Sequence, residues 1–138
     1  MSRTHQLGEL QLEIMRVLWS AREATVAEVH VALQPRRELA PTTVATMLSK
    51  MEKKGVVDHR TEGRQFVYRP TVPEVDVHRS MVGDLTRKLF GGDPTALVHH
   101  LLNEQEIDPA ELESIRRMVE ASEMENGDLE SGDAGEPA

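Results

Sequence analysis

The chain has 138 residues, room for one domain or two small ones, and no cysteine, which excludes disulfides and thiolate metal ligands. Its formal net charge of −8 argues, taken alone, against a nucleic-acid partner, and no apolar run approaches the roughly 20 residues that span a bilayer. The charge is uneven, however: residues 1–70 carry 11 Lys and Arg against 8 Asp and Glu, net +3, whereas residues 71–138 are net −11.

The opening MSRTHQLGEL lacks the apolar core of a signal peptide, so the expectation is a soluble, cytoplasmic protein. Leu10, Ile14, Val17 and Leu18 then share one face of a helix between Gly8 and Trp19, with Trp19 expected in the core. Residues Ser20 to Ala24 break it. Thr25-Val26-Ala27-Glu28 has the form of a capping box, a hydroxyl at the N-cap and Glu three residues on. Val29 and Leu33 continue this second short helix until Pro35 ends it.

A third helix follows the loop PRRELA. Pro41 suits its first turn, and Val44, Met47, Leu48 and Met51 form a buried stripe. Gly55 fits the left-handed position after the helix, with Val56 packing back on Met51. Lys53 and Lys54 sit in the last turn, where the helix dipole favours cations. VVDHR and QFVYR then read as two short strands around the turn TEGR. A core of Leu10, Ile14, Val29, Val44, Leu48 and Phe66 is expected for this first part.

Pro70 and Pro73 mark a boundary. Val77, Met81, Leu85 and Leu89 recur every four residues beyond it. Pro94 opens the short apolar segment ALVHHLL, and Leu112, Ile115 and Val119 share a face of a last helix. From Glu123 the chain has six acids and no base, and no ordered structure is expected there. The expected division is 1–71, 72–122 and an acidic tail at 123–138. So small a helical unit rarely supplies its own core, so a second copy is expected to cover Val77, Met81, Leu85, Leu89, Leu112, Ile115 and Val119.

Enzyme chemistry finds no support. None of the six His makes a His-Glu-x-x-His pattern, and there is neither a phosphate-binding loop nor a Gly-x-Ser-x-Gly turn. No metal or other cofactor is expected. The positive surface is more informative. On the third helix Thr42, Thr46, Ser49 and Lys53 lie opposite the buried stripe, with Thr43 and Lys50 flanking them. Short hydroxyls and lysines suit base edges and phosphates in a major groove. Arg60, Arg64 and Arg69 extend that surface along the hairpin. The order helix, helix, loop, helix, hairpin is that of a winged helix-turn-helix, whose last helix enters the groove. Thr25 is a cap in the plain reading and sits beside a phosphate in the functional one.

In this order and spacing, LGELQLEIMRVLWS, TVAEVHVAL, LAPTTVATMLSKMEKKGVVDHRTEGRQFVY and LFGGDPTALVHHLL resemble the penicillinase-repressor family, BlaI/MecI, from about Leu7 to Val119. The resemblance implies a mainly α fold with a small β-hairpin: a winged helix-turn-helix followed by a C-terminal helical dimerisation domain. It implies a homodimeric repressor on a pseudo-palindromic DNA operator, controlling β-lactamase or related genes. It carries the recognition face to Thr42, Thr43, Thr46, Ser49 and Lys50, and the wing to Arg60 through Gln65. It also implies a membrane sensor-protease as partner, with the cleaved bond at His100-Leu101. The family's familiar Asn-Phe is replaced there. Cysteine pairs of the copper-responsive relatives have no counterpart. The rival reading from another class is a winged-helix protein-interaction adaptor without DNA binding.

Overall fold

The computed structural model describes residues 6–134, and the side chains of residues 6–127. In chain order the elements are α1 (Glu9–Ala21), β1 (Ala24–Thr25), α2 (Val26–Leu33), α3 (Pro41–Lys54), β2 (Val57–Glu62), β3 (Gln65–Pro70), α4 (Glu74–Phe90), α5 (Pro94–Glu104) and α6 (Pro109–Ala134). The protein is mainly helical, with one three-stranded antiparallel sheet in the order β1-β3-β2.

The hairpin pairs Val57 with Pro70 through Glu62 with Gln65. Gly63 takes φ +64° in the two-residue turn, and glycine at the first turn position suits the twist of the flanking strands. β1 is the strand that the sequence reading does not contain. Its two residues pair Ala24 with Tyr68 and Thr25 with Val67. Two residues are too few to show an alternation, and Ser20 to Ala24 reads only as a break.

Ile14, Met15, Leu18, Val29, Val44, Leu48, Met51 and Val57 are buried in one core, with Leu10 and Trp19 packed against it and partly exposed. The indole Nε1 of Trp19 donates to the Val72 carbonyl at 2.9 Å, tying α1 to the segment before α4. Phe66 departs from expectation. It is 46% exposed, while Val67 and Tyr68 of the same strand are buried. Its ring stacks on His59 at 4.0 Å between centroids instead of entering the core.

The end of α3 is well specified. Gly55 takes φ 84°, its N–H donates to the Glu52 carbonyl at 2.9 Å, and the Val56 N–H donates to the Met51 carbonyl at 3.2 Å. These are the two bonds of a Schellman ending, completed by the burial of Met51 and Val56. The chain thereby turns directly from α3 into β2.

Two compact units divide between Gly92 and Asp93, not near Pro70. The reason is the first half of α4. Val77 is fully buried in the core of the first unit, and Val72 and Met81 pack against that core. Val77 is therefore a core residue and is not free to face a second copy. Leu85 and Leu89 remain exposed, at 42% and 69%. In the second unit Asp93 caps α5 by accepting from the Thr95 N–H, and Asp108 accepts from the Glu111 N–H at the start of α6. The expectation of an unstructured tail from Glu123 also differs from the structure, which carries α6 through Ala134. Glu, Met and Leu are good helix formers, and no proline interrupts the segment before Pro137. Residues 135–138 of that expected tail lie outside the described residues. No helix among the described residues is long and apolar enough to cross a membrane.

Among the described residues one non-glycine position has a left-handed φ. Arg22, at the C-terminal end of α1, has φ 75° and ψ −37°, and its N–H donates to the Leu18 carbonyl at 2.7 Å. A side chain there costs roughly 1–3 kcal/mol, against the 0.5–1 kcal/mol that glycine loses in chain entropy. Arg22→Gly is expected to stabilise the protein by about 1 kcal/mol, read as a higher urea midpoint at unchanged slope. A lower midpoint would show that the Arg22 side chain contributes more than its backbone costs.

Candidate nucleic-acid interface

Burial of Val44, Leu48 and Met51, each at 0% exposure, decides what α3 presents outward. At about 100° per residue the opposite side carries Thr42, Thr46, Ser49 and Lys53, flanked by Thr43 and Lys50. All six are exposed. Helix α3 thus brings together the whole set expected from the sequence, as a stripe of hydroxyls with lysines toward its C-terminal end.

Thr25 forms the expected capping box. Its hydroxyl accepts from the Glu28 N–H at 3.1 Å, and the Glu28 carboxylate accepts from the Thr25 N–H at 2.8 Å. The first turn of α2 stands across a cleft of about 580 Å³ from α3 and the wing. Thr25, Val26 and Ala27 line one side of it, Pro41, Ala45 and Ser49 come from α3, and Arg64, Gln65, Phe66 and Tyr68 close it. Thr25, Ser49, Arg64 and Gln65 are therefore brought to one place from three elements. Val26 and Ala45 were not singled out from the sequence, and Phe66 was expected in the core instead of at this cleft.

The arginines of the wing are not equivalent. Arg60 donates to both oxygens of Glu23, at 2.5 and 3.0 Å, and to Glu62 at 2.9 Å. Arg69 donates from Nε to Asp58 at 2.7 Å. Among the described residues Arg64, Lys50 and Lys53 form no ion pair. The free positive charge of this surface is thus concentrated at the wing tip and the end of α3. Arg60, expected as a contact, is committed to holding β2 against the segment before β1. Lys54 is likewise occupied, donating to the Gln6 carbonyl at 2.8 Å and to Gln11 at 2.9 Å.

These pairs shift their carboxylates. The hydrogen bond from Arg60 holds Glu23 below the ordinary glutamate range, outweighing desolvation, with the charges of Arg60 and Arg69 acting in the same direction as the bond. The hydrogen bond from Arg69 does the same for Asp58. No group of three or more His, Asp or Glu placed to hold a metal occurs among the described residues. His100 and Leu101 lie on α5 and are both exposed.

The chain is similar to several known proteins. The family model described as "Penicillinase repressor" matches residues 7–121. A penicillinase repressor of Bacillus licheniformis is 28% identical over 120 residues, covering 87% of this chain and 94% of that protein. The methicillin resistance regulatory protein MecI of Staphylococcus aureus strain N315 is 21% identical over 118 residues, covering 86% and 96%. The solution structure of the DNA-binding domain of the repressor BlaI is 37% identical and covers 55% of this chain and 93% of its own, with a TM-score of 0.48.

The Glu23–Arg60 pair makes a pH prediction. A carboxylate whose folded pKa is lowered stabilises the fold above its unfolded value, about 4.3, and loses that contribution as pH falls through the folded value. The stability gap between the wild type and Glu23→Gln should be widest at neutral pH and close in acid, read by urea unfolding across the carboxylate range. A gap that stays constant would mean that Glu23 acts through packing instead of charge.

Proposed function

This chain belongs to the penicillinase repressor family, and we propose that it is a cytoplasmic transcriptional repressor that binds a pseudo-palindromic DNA operator as a homodimer. The observation that carries this reading is the exposed α3 stripe of Thr42, Thr43, Thr46, Ser49, Lys50 and Lys53 beside the unpaired Arg64. In this reading α3 lies in the major groove, where threonine and serine reach base edges and methyl groups. Lys50, Lys53, Arg64 and Gln65 hold the phosphate backbone, and the first turn of α2 at Thr25 sits against another phosphate. Arg60 positions the wing instead of touching DNA.

The homodimer is supported by the second unit. No residue of α5 or of the described side chains of α6 is buried, and Leu101, Leu102, Leu112 and Val119 are 43–52% exposed. A second copy covers that apolar surface, with Ile115 beside it and Leu85, Leu89 and the outer edge of Met81 as further contacts. Val77 drops out of the set. The functional division that follows is a DNA-binding part and a dimerising part, with genes for β-lactamase or related activities as targets.

A membrane sensor-protease is the proposed upstream partner. The bond His100-Leu101 is helical within α5, so cutting there requires local opening, which a unit without a buried core makes easy. Mass spectrometry of the protein from cells given a β-lactam reads this directly. Intact chain alongside induced target genes would exclude the route.

DNA binding is tested by titrating the upstream region of the protein's own gene at several salt concentrations. A dimer that neutralises roughly 6–10 phosphates loses about 10³–10⁵-fold in affinity between roughly 50 and 200 mM salt. Arg64→Ala is expected to lower the log–log salt slope by about 1 per protomer and to weaken all sequences alike, whereas Thr46→Gln changes which sequences bind. Binding that is flat with salt would sink the phosphate contacts, and no binding at all would leave the adaptor.

A further inference from the structure

The cleft between α2, α3 and the wing is more apolar than a surface for phosphates and base edges requires. Val26, Ala45, Phe66 and Tyr68 form much of its lining. Phe66 is conspicuous among them, because an aromatic residue of the wing is left 46% exposed while its neighbours Val67 and Tyr68 are buried. The volume, about 580 Å³, falls in the range of roughly 300–1,000 Å³ that holds small ligands.

Polar groups at this cleft are few. Ser49 and Gln65 offer hydrogen bonds, and Arg64 offers the charge. The neighbouring Arg60 and Arg69 are each held by carboxylates, but Arg64 has no such partner among the described residues. A guanidinium without a partner beside an apolar cavity selects an anion, and its planar fork matches a carboxylate with two parallel hydrogen bonds. One cation suits a single negative charge. The exposed ring of Phe66, with the buried Tyr68 behind it, favours an aromatic body, which gains from edge or offset contacts beyond the area it buries.

We propose that this cleft binds a small aromatic carboxylate, and that occupation by this ligand and by DNA exclude one another. The exclusion rests on the DNA-binding reading above, because Thr25, Ser49, Arg64 and Gln65 belong to both surfaces. A ligand of this class then acts as an inducer without cleavage of the chain, by taking the wing cation and occupying the gap between wing and recognition helix.

The test uses the full chain, ¹⁵N-labelled, titrated with 2-naphthoate and separately with 2-naphthalenemethanol, which has the same rings without the carboxylate. Saturable shifts are expected at Ala45, Ser49, Arg64, Phe66 and Tyr68, with a Kd on the order of 1 mM or tighter. The alcohol should bind at least about tenfold more weakly, and Arg64→Gln should bring the naphthoate down to the alcohol's level. Phe66→Ala should weaken both compounds by about tenfold. Duplex and naphthoate should compete, the apparent DNA affinity falling as 1 + [naphthoate]/Kd. Shifts that do not saturate, or equal affinity for acid and alcohol, would overturn the site. So would simultaneous binding of naphthoate and duplex, or a Phe66→Ala protein that loses duplex but not naphthoate, which would assign Phe66 to thymine methyl groups. A protein that takes naphthoate yet ignores duplex supports the cleft and overturns the DNA reading alone.

Discussion

The structure depends on how α3 is pinned. Val44, Leu48 and Met51 are fully buried against Ile14, Met15 and Leu18 of α1 and Val29 and Leu33 of α2. Burying each such side chain is worth roughly 1.5–3 kcal/mol, so the helix has one rotational setting about its axis and no near competitor. That setting exposes the hydroxyls and lysines on the other side. The Schellman ending at Gly55 then fixes where the chain leaves α3, and so where the wing stands relative to it. The exposed α3 stripe and the placement of the wing are thus consequences of one packing decision plus one left-handed residue.

Electrostatics refine this picture. A net charge of −8 conceals a first half that is net +3, and within it most of the wing's positive charge is spent internally. Arg60 and Arg69 hold Glu23, Glu62 and Asp58, bracing β2 against β3 and against the segment before β1. What remains on this face for an anionic partner is Lys50 and Lys53 on α3 and Arg64 at the wing tip. A polyanion therefore meets few free cations, each in a defined place. Such exposed ion pairs contribute little to stability one by one, and they occupy cations that an anionic partner would otherwise meet.

Much of this was legible in the sequence, for physical reasons that differ by element. Helix α3 could be read because stripe, Pro41, terminal lysines and Gly55 all agree, and agreement across levels is what specifies a segment. The hairpin could be read from alternation and Gly63. Strand β1 could not, because two residues carry no period and its pairing with Tyr68 and Val67 is a long-range fact. Phe66 was misplaced because alternation gives a face but not a depth: the strand runs out of the core toward its turn, and His59 supplies the contact instead. Val77 was misassigned for a related reason. The four-residue repeat of α4 marks one apolar face but cannot say that its first turns close the core of the preceding unit while Leu85 and Leu89 stay exposed. The exposed side of α3 was legible from sequence, whereas the cleft was invisible, since Val26, Ala45 and Phe66 come together only in three dimensions.

In the proposed reading one face, built from α3, the first turn of α2 and the tip of the wing, meets DNA. That contact is tested most directly by mapping amide shifts on the labelled protein as an operator-length duplex is added. The largest changes are expected on Thr42 through Lys53 at the exposed positions, on Thr25 to Ala27 and on Gly63 to Gln65, while Val44, Leu48 and the strand pairs keep their positions. Changes centred on α1 or on the outer side of α4, with α3 silent, would contradict it.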